Sequence, residues 1–207
     1  MLAIIRGAGD IASAIALRLH KCGASVIMTE VEHPLTVRRT VAFSEAIHSG
    51  KTQVEGVVGV RAESVDDALR RALEGVVPVL VDPKCSCIWL EPDVLVDAIL
   101  AKRNMGTTIG MAPIVIGIGP GFTAGNDCHA VVETMRGHTL GRVYYEGSAL
   151  PNTAVPGLVG GFAGERVLRA PSDGTFREVA SIRDHVEAGQ TVAYVDDAPV
   201  IATLTGT

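Results

Sequence analysis

Apolar positions along the chain fall into short runs of two periods. Leu2 to Ile5 is unbroken, the pattern of a strand buried on both faces of a parallel sheet. Ile11, Ile15 and Leu19 then recur at helical spacing before a stop at Gly23. Ala24 to Met28 is a second apolar run, ending at Thr29-Glu30, so residues 1–30 predict a complete β-α-β unit. Ser64 predicts the cap of a helix over 65–73, with Asp66 and Asp67 against the positive end of its dipole. Val76 to Val81, Val94 to Ala98, Pro113 to Ile118 and Arg142 to Tyr145 predict further strands. A helix is predicted from Asn126 or Asp127 through Met135, ended by Gly137.

The pattern changes near residue 148. Pro151 to Gly164 holds two prolines and four glycines and reads as a connector. After it come short β-runs between turns: ERVLRA, GTFREV, TVAYV and PVIATL. The expected architecture is an α/β, Rossmann-like parallel sheet with helices on both faces over residues 1–150. A connector over 151–164 then leads to a partial β barrel-sandwich domain over 165–207.

Composition agrees with a buried parallel sheet. Of 207 residues, 47% are hydrophobic and only 4% aromatic, with 23 glycines, which excludes a disordered chain. The net charge of −5, with no Lys/Arg run longer than two, lacks the electrostatic footprint of a nucleic-acid binder. Four cysteines are too few for a disulfide scaffold. The opening MLAIIRGAGD enters a glycine turn where a signal peptide would carry its apolar core, and the longest apolar stretch, Met111 to Ile118, is far short of the roughly 20 residues of a membrane span. A cytoplasmic protein without membrane contact is expected.

Three constellations carry candidate chemistry. Gly7-x-Gly9-x-x-Ala12, between a strand and a helix, is a dinucleotide-binding pattern: a tight turn, a close approach to pyrophosphate, and close packing of helix on strand. Asp10 opens the helix whose N-terminus would face the anion, and Glu30 at the end of the second strand can accept from a ribose hydroxyl. The alternative is a unit of this shape whose crevice is empty. In the second constellation, Lys102 and Arg103 can hold an anion that Asp97 and Asn104 orient, or form an exposed pair on a loop. In the third, Gly119, Gly121 and Thr123 form a glycine-rich turn before the predicted helix bearing His129 and Glu133. Those two residues, four apart, would share a helix face as metal ligands or an acid/base couple, or simply as a surface pair, and the second histidine of an H-E-x-x-H zinc pattern is absent.

Two further patterns are set aside. Gly50-Lys51-Thr52 looks like the end of a phosphate-binding loop, but that motif needs a glycine where Glu45 stands. Cys85-x-Cys87 lacks the further ligands of a zinc site, so no metal is assigned and the thiols read as buried or incidental. In the C-terminal part, Ala170-Pro171-x-x-Gly174, Val186-x-x-Gly189-Gln190 and Pro199-Val200-x-Ala202 resemble one half of a biotinyl/lipoyl-type sandwich. No lysine follows Lys102, which excludes a lysine-tethered swinging arm.

The segments RGAGDIASAIALRLH, MTE, LVDP, DAILAKRN, MAP, GPGFTAGNDCHAVVETMRGHTLGRVYYEGSALPNT and RAPSDG together resemble the YqeB-type accessory proteins of the selenium-dependent molybdenum hydroxylase system. The resemblance spans nearly the whole chain and is most specific over 119–153, and it implies further sequence beyond Thr207 in family members. It also implies a role in maturing a molybdenum hydroxylase of the xanthine dehydrogenase kind, with the apo-enzyme as partner and, as candidate ligand, the molybdenum cofactor in its pterin dinucleotide form or a selenium-bearing ligand. On this reading Gly7, Gly9, Asp10, Ala12 and Glu30 hold one end of the nucleotide-like ligand. Arg103, Asn104, Gly119, Gly121 and Thr123 line the other side, with His129, Glu133 and Lys102 as candidate catalytic groups. The alternatives are an NAD(P)-dependent oxidoreductase, and a non-catalytic chaperone of the apo-hydroxylase. A homo-oligomer is expected, and whether the chain is an enzyme stays open.

Overall fold

The computed structural model describes residues Met1–Thr207, which divide into two compact units, Met1–Asn152 and Thr153–Thr207. The first is α/β. Strand β1 (Leu2–Arg6) leads into helix α1 (Asp10–Lys21) and β2 (Ser25–Glu30). Then come α2 (Glu45–Ser49), β3 (Lys51–Val54), β4 (Val57–Ala62), α3 (Val65–Leu73) and β5 (Val77–Val81). The unit ends with β6 (Val94–Asp97), β7 (Ile114–Ile118), β8 (Ala130–Val132) and β9 (Val143–Tyr144). All nine strands form one mixed sheet in the order β3-β4-β5-β2-β1-β6-β7-β8-β9. Every pairing from β4 to β8 is parallel, and the outermost strands β3 and β9 are antiparallel to their neighbours.

Burial on both faces explains the unbroken apolar runs. Ala3 and Ile5 of β1, Val26 and Met28 of β2 and Val96 of β6 enter one core with Ala12 and Ala16 of α1 and Ile47 of α2. The alternate residues Ile4, Ile27 and Leu95 enter a second core with Ala68 and Ala72 of α3. Helix α3 begins as its sequence dictates: the Ser64 hydroxyl accepts from the Asp67 amide at 3.1 Å, and Arg70 and Arg71 close the last turn.

Two expected elements are replaced. No helix forms over 126–135; Ala130–Val132 is strand β8, in register with Ile116–Ile118. β7 leaves an edge of unpaired peptide groups, and the Val131-Val132 pair suits a strand better than a helix there. The ERVLRA run is not a strand either: Gly164–Arg166 is a single 3-10 turn, and Val167 and Leu168 are exposed. Two elements unforeseen in the sequence, β3 and β4, form a hairpin whose turn residues Glu55 and Gly56 both have positive φ, the pairing a two-residue turn demands.

In the second unit β10 (Phe176–Glu178), β11 (Thr191–Val195) and β12 (Ala198–Ile201) form an antiparallel sheet in that order. The Arg177 guanidinium stacks over the Tyr194 ring at 4.5 Å, across the paired strands. No helix of the protein is long and apolar enough to cross a membrane.

Candidate functional site

The chain leaves β1 for β2 on one side, and later places β6 on the other side of β1. Ligands of open parallel sheets bind beyond the carboxyl ends of strands where the direction of winding changes in this way. At that edge lie the turn Gly7–Gly9, the ends of β2 and β6, and the loop 98–107.

Gly7, Gly9, Asp10, Ala12 and Glu30 come together. Gly7 has φ +92°, and a Cβ there would sit 2.9 Å from the Ala98 carbonyl oxygen, so the fold itself demands glycine. Gly9 differs. Its φ is −66°, and an added Cβ would meet nothing nearer than Thr36 Oγ1 at 3.9 Å. It is the N-cap of α1 and no side chain caps that helix; only the Ile11 amide is engaged there, by Asp10 Oδ1 at 3.0 Å. Glu30 lies beneath the turn, accepting from the amides of Ala8 and Val31 at 2.8 Å each. Arg38 reaches Asp10 at 2.5 Å and brings an exposed cation to the start of α1.

Behind this turn lies a buried polar network that the sequence did not single out as a unit. Arg6 Nη1 donates to Asp97 Oδ2 at 3.2 Å and to Thr107 Oγ1 at 2.5 Å; Thr107 Oγ1 donates to Asp97 Oδ2 at 2.6 Å. All three residues are almost wholly buried, and Arg6 Nη2 reaches the Met105 carbonyl at 3.2 Å. Arg6 Nε has no partner. Asn104 organises the loop: Oδ1 accepts from Gly106 and Thr107, and Nδ2 donates to the Thr107 carbonyl. It therefore fixes Thr107 for Arg6 rather than pointing a free amide outward. A charged or hydroxylated residue at the end of an apolar strand, as at Arg6 and Asp97, was the available signal.

Lys102 and Arg103 are exposed on the same loop, Lys102 with φ +63°. Gly121 packs against this loop, where a Cβ would lie 2.6 Å from Arg103 Cα, and a Cβ at Gly119 would lie 2.8 Å from Thr134 Oγ1. Both glycines are accounted for by close packing, and no helix follows them to offer an N-terminus to an anion. Thr123 is tied in by Asp127 Oδ2, which accepts its amide at 2.8 Å, and by the Ser148 hydroxyl at 3.0 Å.

His129 and Glu133 are not a couple on a helix. They flank β8, and four residues of extended chain separate them by roughly 13 Å. His129 pairs with Val115 near the amino end of β7, its amide donating to the carbonyl at 2.8 Å and its Nδ1 accepting from the amide at 3.0 Å. It lies at the edge opposite the Gly7 turn. Glu133 is 1% exposed and binds three amides at 2.8 Å: Thr134 and Met135 on Oε1, Leu150 on Oε2. Burial raises its pKa, but the Leu150, Met135 and Thr134 amides outweigh this and hold it below the ordinary value. It is an anionic brace for the chain at 134–150.

At the carboxyl end of β5, Asp82 accepts from the Cys87 amide at 2.8 Å, and its carbonyl accepts from the Cys85 amide at 3.0 Å. Burial pushes the Asp82 carboxyl up, and the Ser86 and Cys87 amides more than offset that. Cys85 and Cys87 are both buried in the core beneath α3. No group of three or more His, Cys, Asp or Glu side chains converges where a metal ion would need them.

Over 206 residues the chain is 50% identical to the "Uncharacterized protein YqeB" of Escherichia coli (strain K12), a similarity covering 99% of this chain and 38% of that protein. The chain thus spans less than half the length of the curated relative it matches. No family model matches the chain, and no solved structure matches it.

Proposed function

We propose that the chain is the Rossmann-like, ligand-binding part of an accessory protein that matures a selenium-dependent molybdenum hydroxylase, and that it binds a nucleotide-containing ligand such as the pterin dinucleotide form of the molybdenum cofactor. The observation that carries this reading is Gly9. Neither its φ nor any protein neighbour requires glycine there, and a side chain would cover the uncapped start of α1. Leaving that space open has a use if a phosphate group approaches the first amides of the helix, where the dipole favours an anion. Arg38 then adds a cation at the phosphate end, and Glu30, which holds the turn, keeps free lone pairs for a ribose hydroxyl. The exposed Lys102 and Arg103 take the far end of the ligand. His129 and Glu133 have no part in it.

Calorimetry with NAD, NADP, CTP and the pterin dinucleotide tests this directly. One of them is expected to bind below millimolar, with Gly9→Val weakening it at least tenfold while thermal stability holds. Absence of binding by all four, or equal binding by Gly9→Val, overturns the ligand assignment. Selective NAD binding with turnover would instead move the chain to the oxidoreductases. The maturation role predicts that disrupting the gene lowers hydroxylase activity in cells without lowering the amount of hydroxylase protein.

A further inference from the structure

Loop 98–107 leaves β6 in a conformation its residues do not favour by themselves. Leu100 (φ +60°) and Lys102 (φ +63°) both take the left-handed backbone that non-glycine residues rarely adopt. Such strain persists only where the surroundings impose it, and it gathers at functional positions. Asp97, the last residue of β6, anchors the start of the loop, its Oδ1 accepting from the Ile99 amide at 3.2 Å. Arg6, in register with Asp97 on the paired strand, anchors the end, Nη1 donating to Asp97 and Thr107 and Nη2 to the Met105 carbonyl. Between the two anchors, the Arg103 backbone packs where Gly121 has no Cβ. A buried network thus closes the loop on itself, and the loop carries the exposed Lys102 and Arg103.

We propose that Arg6 is a positioning residue: through Asp97 and Thr107 it holds loop 98–107 in the strained form that presents Lys102 and Arg103 to an anionic group at the far end of the ligand. This rests on the ligand-binding reading. Stability alone is a poor reason for such a network. Replacing a buried ion pair by apolar residues of similar volume is often neutral or stabilising. Here Arg6 Nε is also left without a partner, which adds to the cost of burying the charge. What the guanidinium supplies is geometry. Its planar fork serves Asp97, Thr107 and Met105 at once, from a strand held between β2 and β6 in the middle of the sheet. Without that hold Leu100 and Lys102 relax to ordinary backbone, and both cations must be ordered afresh each time an anion binds. Arg6 is itself buried, so it acts on the ligand only through the loop.

The test uses the full chain and, as probe, whichever of NAD, NADP, CTP and the pterin dinucleotide binds it most tightly. Arg6→Met with Asp97→Leu exchanges the ion pair for apolar side chains. Trypsin reads the loop, since it cleaves after Lys102 and Arg103, with exposed Arg169 of the second unit as internal reference. Relative to Arg169, cleavage in the loop is expected to rise about tenfold in this double variant, as the loop opens without global unfolding. Affinity for the probe should fall about tenfold, the effect of losing one hydrogen bond to a charged group. A mutant cycle separates positioning from a general loss of structure. Lys102→Ala with Arg103→Ala should also cost about tenfold in affinity, and adding it to the first pair should cost nothing more, because the cations are already out of place. Thr107→Val, which keeps the ion pair, carries the same cycle with smaller effects and serves if the first pair does not fold. Losses that add, or a loop as resistant to trypsin as in the wild type, overturn the positioning role and leave the ligand reading standing. A wild type that binds none of the four probes overturns both.

Discussion

Glu133→Gln separates a catalytic carboxylate from a structural one. In the native protein, Oε1 takes the Thr134 and Met135 amides and Oε2 takes that of Leu150, each at 2.8 Å. Glutamine can present its oxygen to the first two, but its NH2 then faces the Leu150 N–H donor to donor. One hydrogen bond to a charged acceptor is worth about 1.5–3 kcal/mol, and a buried unpaired donor costs about 1–3 kcal/mol. The two contributions overlap and the remaining bonds weaken, so the expected loss is about 3 kcal/mol, a large share of a typical domain's ~5–15 kcal/mol. Urea unfolding at pH 7 measures it, and amide exchange localises it to Thr134, Met135 and Leu150. The pH dependence supplies the second arm. A carboxyl held below its ordinary value of 4.5 contributes stability that is fully present above that pH and is lost as pH falls through the native value. The gap between wild type and Glu133→Gln should therefore close in acid. A gap under about 0.5 kcal/mol at pH 7, the range of an ordinary surface substitution, or one unchanged at low pH refutes the argument.

The remaining predictions concern the same edge of the sheet. Asp97→Asn strips the counter-charge from buried Arg6 and should cost about 3–5 kcal/mol by chemical denaturation, whereas Arg6→Met with Asp97→Leu should cost less than either single change. Gly7→Ala, with φ +92° and a carbonyl at 2.9 Å, should destabilise by about 2 kcal/mol or more, while Gly9→Ala, which meets open space and gives up only the N-cap preference for glycine, should cost about 0.5–1 kcal/mol; equal effects would remove the special standing of Gly9. Gly121→Ala meets Arg103 backbone at 2.6 Å, and should lower the melting temperature more than Gly125→Ala, which has positive φ but open space.

The central sheet was legible because its strands are apolar on both faces: Leu2 to Ile5, Val77 to Val81 and Ile114 to Ile118 carry that signal without reference to anything distant. The Ser64 cap and the Gly23 stop are equally local, and α3 runs over Val65–Leu73 as its sequence dictates. Residues 126–135 were misread for the opposite reason. Their period is ambiguous, and the free edge of β7, contributed by residues more than ten positions earlier, decided for strand. That one difference dissolves the His129–Glu133 couple. The Gly7-x-Gly9 pattern was visible as a motif, but spacing could not divide its glycines. Only the approach of Ala98 shows that Gly7 serves the fold, and only the space beside Thr36 shows that Gly9 does not. Likewise Arg6 stands 91 residues from Asp97 and 101 from Thr107, so no local spacing announces their network. Local periodicity and capping are written in neighbouring residues, so the sequence determined the elements; burial, charge pairing and close approach depend on residues brought together from afar, so the tertiary structure alone decided what those residues do.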